Sequence, residues 1–269
     1  MDGSLARYGL WALIAGGSEG VGAAFAHRIA AAGINLVLLA RRAGPLHATA
    51  AACRASGVQV RTLAVDLADR TAADVVASAV ADIDIGLLVY NAGANTHSAR
   101  FLDGDLAAFD RVIDLNVTTP LGLVHRLAPG MVARGRGGVI LVGSMAGYLG
   151  SSHHTVYGGV KAFGRIFAEG LWLELREHGV DVLELVLGVT RTPAMQRAGL
   201  NFDVPGLPVA EPDQVAVEGL RALPNGPVHI VSGNERLVAG RNDADRARAV
   251  LGAHRAMQRL IGAAADEGP

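Results

Sequence analysis

Short apolar runs of strand length alternate with longer, helix-like stretches along the whole chain. The first run, Leu10–Ala15 (LWALIA), is uninterrupted and closed by glycines. Such a run reads as a strand buried on both faces. An alanine-rich helical stretch follows to about Ala32, and Ile34–Ala40 (INLVLLA) reads as a second buried strand. Helix is expected over Pro45–Ser56, strand over Val58–Val65, helix from about Thr71 and strand over Ile83–Tyr90. Leu106–Ala133 reads as one long helical stretch. Val139–Val142 is the fifth strand, a helix runs from Tyr157 to about His178, and Val180–Leu187 is the sixth strand. A helix near Asp213–Ala222, a strand near Val228–Val231 and a terminal helix over about 243–265 complete the series. Strand and helix in alternation imply a parallel sheet covered on both faces. The expected fold is α/β, a doubly wound Rossmann fold with seven parallel strands and helices on both sides. No linker, repeat or low-complexity block interrupts it, so residues 1–269 read as a single domain. Residues 193–212 carry prolines and glycines and read as a substrate-specificity segment.

Composition narrows the function classes. The chain is 51% hydrophobic with 35 glycines, enough for a large core and many tight turns. A net charge of −1 argues against broad electrostatic binding to nucleic acid or to an anionic membrane. The single cysteine, Cys53, excludes an internal disulfide and a cysteine-based metal cage. The first residues lack the pattern of a signal peptide, and no apolar run approaches the roughly 18 residues of a membrane helix. A soluble cytoplasmic protein is the expectation.

Several spacings carry chemistry. The first strand is followed by Gly16-Gly17-Ser18-Glu19-Gly20-Val21-Gly22 and then by helix. Strand, glycine loop and helix together aim backbone N–H groups and a helix N-terminus at a phosphate. A turn that only changes direction is the plainer alternative. The second strand ends in Arg41 and Arg42, with no Asp or Glu from Ile34 to His47. In a dinucleotide fold an acid at this place holds a ribose 2′-OH, whereas arginine accommodates a 2′-phosphate. NADP(H) is therefore favoured over NAD(H), with Arg41 the better candidate. A solvated arginine pair is the alternative. Asp66-Leu67 follows the third strand; Asp66 could accept from an adenine amino group or cap the next helix. Asn91-Ala92-Gly93 closes the fourth strand, where open α/β sheets bind ligands. Asn116, inside a helical stretch, is locally unfavourable and either faces solvent or bonds something specific. Tyr157 and Lys161 are four residues apart on one helical face, a phenol beside an ammonium. His153 and His154 are adjacent, so their side chains diverge, and no His-Glu-x-x-His pattern occurs; no metal site is expected.

Taken together, Gly16-x-x-x-Gly20-x-Gly22, Asp66, Asn91-Ala92-Gly93, Asn116, Ser144, Tyr157-x-x-x-Lys161 and the turn Gly188–Thr192 resemble the short-chain dehydrogenase/reductase family over roughly residues 8–235. Three positions depart from its pattern: Ala15 for the usual threonine, Tyr90 for the first asparagine, and Leu187 for the usual proline. The resemblance implies an NADP(H)-dependent oxidoreductase interconverting a ketone and a secondary alcohol. It assigns Tyr157 as general acid/base and Ser144 as the partner of the substrate oxygen. Lys161 would bind the nicotinamide ribose and lower the Tyr157 pKa. Asn116 would hold a relay water through its backbone, Thr192 would bind the nicotinamide carboxamide, and Val189 would lie beside its ring. The family's helices near 104–133 and 154–178 commonly form a four-helix bundle between subunits, which implies a homodimer or homotetramer. Met195, Leu200, Phe202 and Leu207 make the specificity segment partly apolar, so the expected substrate is an apolar carbonyl: steroid-like, acyl or aromatic. The rival expectation is a nucleotide-binding sensor or scaffold that keeps the fold without the chemistry.

Overall fold

The side chains of β1 (Trp11–Ala15) set the layering of the molecule. All five are buried, yet Ala12 and Ile14 enter one core while Trp11, Leu13 and Ala15 enter another. A period of two sends alternate residues to opposite faces, so a strand apolar throughout must be covered twice. The structure is a computed structural model and describes residues 3–255. After β1 come α1 (Gly20–Ala31), β2 (Asn35–Ala40), α2 (Ala43–Arg54), β3 (Val60–Ala64), α3 (Ala72–Ala79) and β4 (Ile85–Tyr90). Then follow α4 (Leu106–Ile113), α5 (Thr119–Ala133), β5 (Gly137–Ser144), α6 (Thr155–Leu175) and β6 (Val180–Leu187). The chain continues through β7 (Val189–Thr190), α7 (Pro193–Arg197), β8 (Val209–Ala210), α8 (Pro212–Ala222), β9 (Val228–Ile230) and α9 (Glu235–Gly240).

Seven strands form one parallel sheet in the order β3-β2-β1-β4-β5-β6-β9, and β7 and β8 pair separately. Phe25 and Ile29 of α1, Leu46 of α2 and Val215 of α8 fill the core on one face. Val76 of α3, Leu123 and Met131 of α5 and Ala168 of α6 fill the other. The winding reverses between β1 and β4. Their carboxyl ends therefore flank the switch-point crevice where such sheets take ligands.

Three boundaries differ from expectation. Leu10 is exposed and precedes β1. Helix α2 starts at Ala43, ahead of Pro45, because proline is tolerated in a first helical turn. The stretch 106–133 is not one helix: a π-helical turn over Asp114–Thr118 separates α4 from α5. The Tyr90 hydroxyl donates to the Leu115 carbonyl at 2.6 Å from the neighbouring strand, and Pro120 stands at the head of α5. Proline has no N–H to give to the carbonyl four residues back, which is that of Asn116. Of the expected terminal helix, residues 246–255 are helical and 256–265 lie outside the described residues. Among the described residues no helix is long and apolar enough to cross a membrane.

Candidate active site

The glycine loop is built for close backbone approach. Gly16 has φ +80°, and a Cβ on Gly22 would stand 2.0 Å from the Gly16 carbonyl oxygen. The amides of Gly16 and Gly17 both reach the Leu39 carbonyl, at 2.8 and 3.0 Å. Asn91 Nδ2 donates to the Gly16 carbonyl at 3.2 Å, so this asparagine ties the end of β4 to the loop. Ser18 accepts from Thr49 Oγ1 through its carbonyl at 3.1 Å, and Val21 is buried under the start of α1. These contacts aim the N-terminus of α1 into the crevice, with no side chain from Gly16, Gly20 or Gly22 in the way. A dinucleotide pyrophosphate fits such a cradle.

Beyond the loop, Arg41 is exposed and makes no ion pair among the described residues, whereas Arg42 bonds Glu19 at 2.8 Å. Glu19 also takes the guanidinium of Arg197 from α7. This one carboxylate thus joins the glycine loop, the end of β2 and the head of the 193–212 segment. Its pKa is held below the usual range, chiefly by the hydrogen bond from Arg197. Asp66 accepts from the Ala68 amide at 3.1 Å and from Arg111 at 2.7 Å. The helix-cap alternative for Asp66 fails: Asp69 bonds the Thr71 amide at 2.8 Å, because it lies two residues before that amide. Leu67 is buried, and its carbonyl takes the Thr119 hydroxyl at 2.8 Å.

Four further side chains gather where β4, β5 and α6 meet. Ser144 ends β5, and its Oγ accepts from the Ala146 amide at 3.2 Å. Helix α6 begins at Thr155, which puts Tyr157 in its first turn. Burial raises the Tyr157 pKa, and a side-chain hydrogen bond with Ser144 opposes that rise. Lys161 Nζ lies 5.7 Å from the Tyr157 ring centroid and donates to the Val142 carbonyl at 3.0 Å. Asn116 Nδ2 donates to the Val112 and Ala94 carbonyls, at 2.9 and 3.1 Å, so it fastens the π turn to the strand-end loop. A Cβ on Gly93 would stand 2.3 Å from Lys161 Nζ and 2.8 Å from Asn116 Oδ1. Glycine at 93 thus makes room for the lysine as well as for any ligand.

The expected influence of Lys161 on Tyr157 meets two local ones: burial raises the phenol's pKa, and a side-chain hydrogen bond with Ser144 opposes that rise. Lys161 is itself buried, its amine donates to the Val142 carbonyl, and desolvation pushes its own pKa down.

Across the crevice, Thr192 caps α7 by accepting from the Met195 amide at 3.2 Å. A Cβ on Gly20 would meet its methyl at 3.1 Å, so Thr192 closes over the glycine loop. Gly188 lies against Asn234, where a Cβ would stand 2.1 Å from Oδ1, and Val189 follows at the crevice edge, half-buried. The profile of the short chain dehydrogenase family matches residues 10–201. The chain belongs to that family.

It is therefore an NAD(P)-dependent short-chain dehydrogenase/reductase. It is similar to the 7β-hydroxysteroid dehydrogenase of Collinsella aerofaciens, 35% identical over 76% of each chain. It is also similar to the very-long-chain 3-oxoacyl-CoA reductase of Laccaria bicolor, 34% identical over 67% of this chain and 54% of that one. The chain thus spans about half the length of that relative. Among solved structures, a short-chain dehydrogenase from Sphingobium yanoikuyae in complex with NADPH is 32% identical, with TM-score 0.76. That likeness covers 94% of this chain and 95% of the other.

Several contacts of this short-chain dehydrogenase go beyond what its sequence shows. Tyr90 supports the π turn through its hydroxyl, which gives the departure at that position a physical account. Asn95 Nδ2 lies 2.7 Å from both Ser98 Oγ and His154 Nδ1, which joins the loop after β4 to the turn before α6. Burial pushes the His154 pKa down, with His153 adding to the effect. Asn234 is buried behind Gly188, and Glu184 is buried in the middle of β6. For Asn116 the sequence carries one signal: Pro120, four residues on, withholds the amide its carbonyl would take in an α-helix.

Proposed function

We propose that this dehydrogenase uses NADP(H) to interconvert a bulky apolar ketone and its secondary alcohol, with Tyr157 as the proton donor for reduction. The observation that carries the reading is the convergence of Tyr157, Ser144, Lys161 and Asn116, from three separate segments, at the carboxyl end of the sheet. The cofactor, when bound, supplies the hydride. The chain's own groups supply position and protons. The glycine loop and the α1 N-terminus hold the pyrophosphate. Asp66 and Leu67 flank the adenine, and Asn91, Ala92 and Gly93 line the adjoining ribose. Gly188, Val189 and Thr192 border the nicotinamide. Ser144 Oγ holds the substrate oxygen, and the Tyr157 hydroxyl delivers the proton to it. Lys161 and the Asn116 carbonyl, left without the amide of Pro120, carry the proton back toward solvent.

Arg41 supports the choice of NADP(H): it follows β2, where such folds read a 2′-phosphate, and it makes no ion pair among the described residues. The similar Sphingobium yanoikuyae dehydrogenase is described with NADPH. Arg41→Ala is expected to raise the KM for NADPH by about 10- to 100-fold, as fits one lost charge-assisted contact. The KM for NADH should stay within a few fold, as initial rates with the two cofactors will show. Substrate bulk is supported by the exposed Met195 and Leu200 beside the crevice and by the steroid and long-chain acyl compounds in the relatives' names. Loss of NADPH absorbance against steroid, acyl and aromatic ketones tests the whole reading, with Tyr157→Phe as control. No turnover of any ketone, with NADPH still bound, would favour a sensor or scaffold.

Exposed Leu121 on α5 and Phe163, Ile166 and Leu173 on α6 support assembly through these helices. Light scattering at micromolar concentration should give two or four times the 27.7 kDa chain mass. A monomer would remove the subunit bundle from this proposal.

A further inference from the structure

Strand β6 reads VDVLELVL, and its centre holds a carboxylic acid where packing alone calls for an aliphatic residue. Glu184 is 1% exposed, between Leu183 and Leu185, which are also buried. Neither carboxyl oxygen has a hydrogen-bond partner among the described residues. Acids are seldom buried unless something compensates them, so the residue needs an account.

Its surroundings supply one. A Cβ on Gly143 would stand 2.3 Å from Glu184 Oε1, so the bare backbone of β5 is what admits the carboxyl. Glu184 then lines a cavity of about 30 Å³ together with Lys161, Asn116, Gly93 and Val142. That volume is about one water's share of the liquid, and in a lining otherwise largely apolar the polar groups are Lys161, Asn116, Glu184 and the Tyr90 hydroxyl. Asn116 Oδ1 is also buried without a partner there. On α6, Tyr157, Lys161, Arg165 and Glu169 recur every four residues and so share one face. The titratable and charged groups that act on Glu184 are Lys161, Arg165 and Glu169 from this helix and Tyr148 from the turn after β5. The Arg165 guanidinium lies 4.3 Å from the Tyr148 ring centroid, with its Nε unpartnered.

We propose that Glu184 is a positioning residue that acts across this cavity to keep the Lys161 amine charged in the active site. The inference rests on the reading of Lys161 as a support for cofactor and acid. Burial alone drives both groups toward their neutral forms, Lys161 downward and Glu184 upward in pKa. Each opposes that drift in the other, and Arg165 adds to the pull on the carboxyl. A lysine that enters a buried site with its charge intact is helped by such a partner.

Lys161 is the sole lysine of the chain. Protein labelled with [6-13C]lysine therefore gives one side-chain signal, which reports this amine directly as pH is varied. Glu184→Gln keeps the shape and removes the charge. It is expected to lower the Lys161 titration midpoint by about one pH unit or more, and Glu184→Asp to restore part of that shift. An unmoved midpoint in a folded Glu184→Gln protein would overturn the proposal. The wild type tests it without any variant: coupled groups must give the lysine signal a second inflection, from Glu184 itself, and a single inflection overturns it equally. The catalytic reading is judged separately, by NADPH consumption with Tyr157→Phe. A moved midpoint beside an active Tyr157→Phe enzyme would remove the role given to the phenol and leave the coupling standing.

Discussion

Tyr157→Phe is expected to reduce ketone turnover by about 10²- to 10⁴-fold, the usual range for removing a positioned general acid. NADPH affinity should change little, because the substitution deletes one oxygen and leaves the ring packed in the first turn of α6. Stopped-flow or steady-state NADPH oxidation measures the first effect and fluorescence titration the second. The pH dependence follows from the direction of the phenol's shift. Its pKa is raised, so the protonated form needed for reduction persists through neutral pH. Alcohol oxidation needs the phenolate and should speed up as pH rises, while reduction falls. Equal activity in Tyr157→Phe and wild type would place the proton donor elsewhere.

Gly22→Ala is the second large effect. The added methyl would stand 2.0 Å from the Gly16 carbonyl oxygen, and backbone cannot swing aside as a long side chain can. Asn91 Nδ2 lies 2.8 Å from the same point, so the strap from β4 blocks the easiest retreat. Forcing atoms into such a space costs about 1–3 kcal/mol, and more where the backbone is held. The loop must open to relieve it, and the amides that face the pyrophosphate then lose their alignment. NADPH affinity is expected to fall by at least about tenfold, which corresponds to about 1.4 kcal/mol. Fluorescence titration measures the affinity and thermal denaturation the stability. A variant with wild-type values for both would show that the loop has slack that its contacts do not suggest.

The order of strands and helices was legible because buried parallel strands are apolar throughout and stop at glycine or polar residues. Trp11–Ala15, Leu36–Ala40 and Leu87–Tyr90 all have that form. The glycine loop and the Tyr157–Lys161 pair were legible for a similar reason: their partners are close in sequence. What escaped depends on contacts between distant segments. The π turn needs the Tyr90 hydroxyl from β4, and Glu19 finds Arg197 only after the chain has returned to the crevice. Glu184 sat in an apolar run whose single acid gives no sign of facing α6 rather than solvent. Spacing showed which helical face Lys161 occupies, not that its amine would meet the Val142 carbonyl.

The Glu19 ion pairs also divide the molecule by what holds it. The sheet and its helices are fixed by buried apolar contact, which ionic strength hardly touches. Helix α7 has no buried residues, and it is tied to the glycine loop by Arg197 and Glu19, both open to solvent. Charges so placed are screened as salt rises. The segment expected to select the substrate is thus moored by the contact most responsive to the medium, and the affinity for substrate is the property of this enzyme that salt should tune.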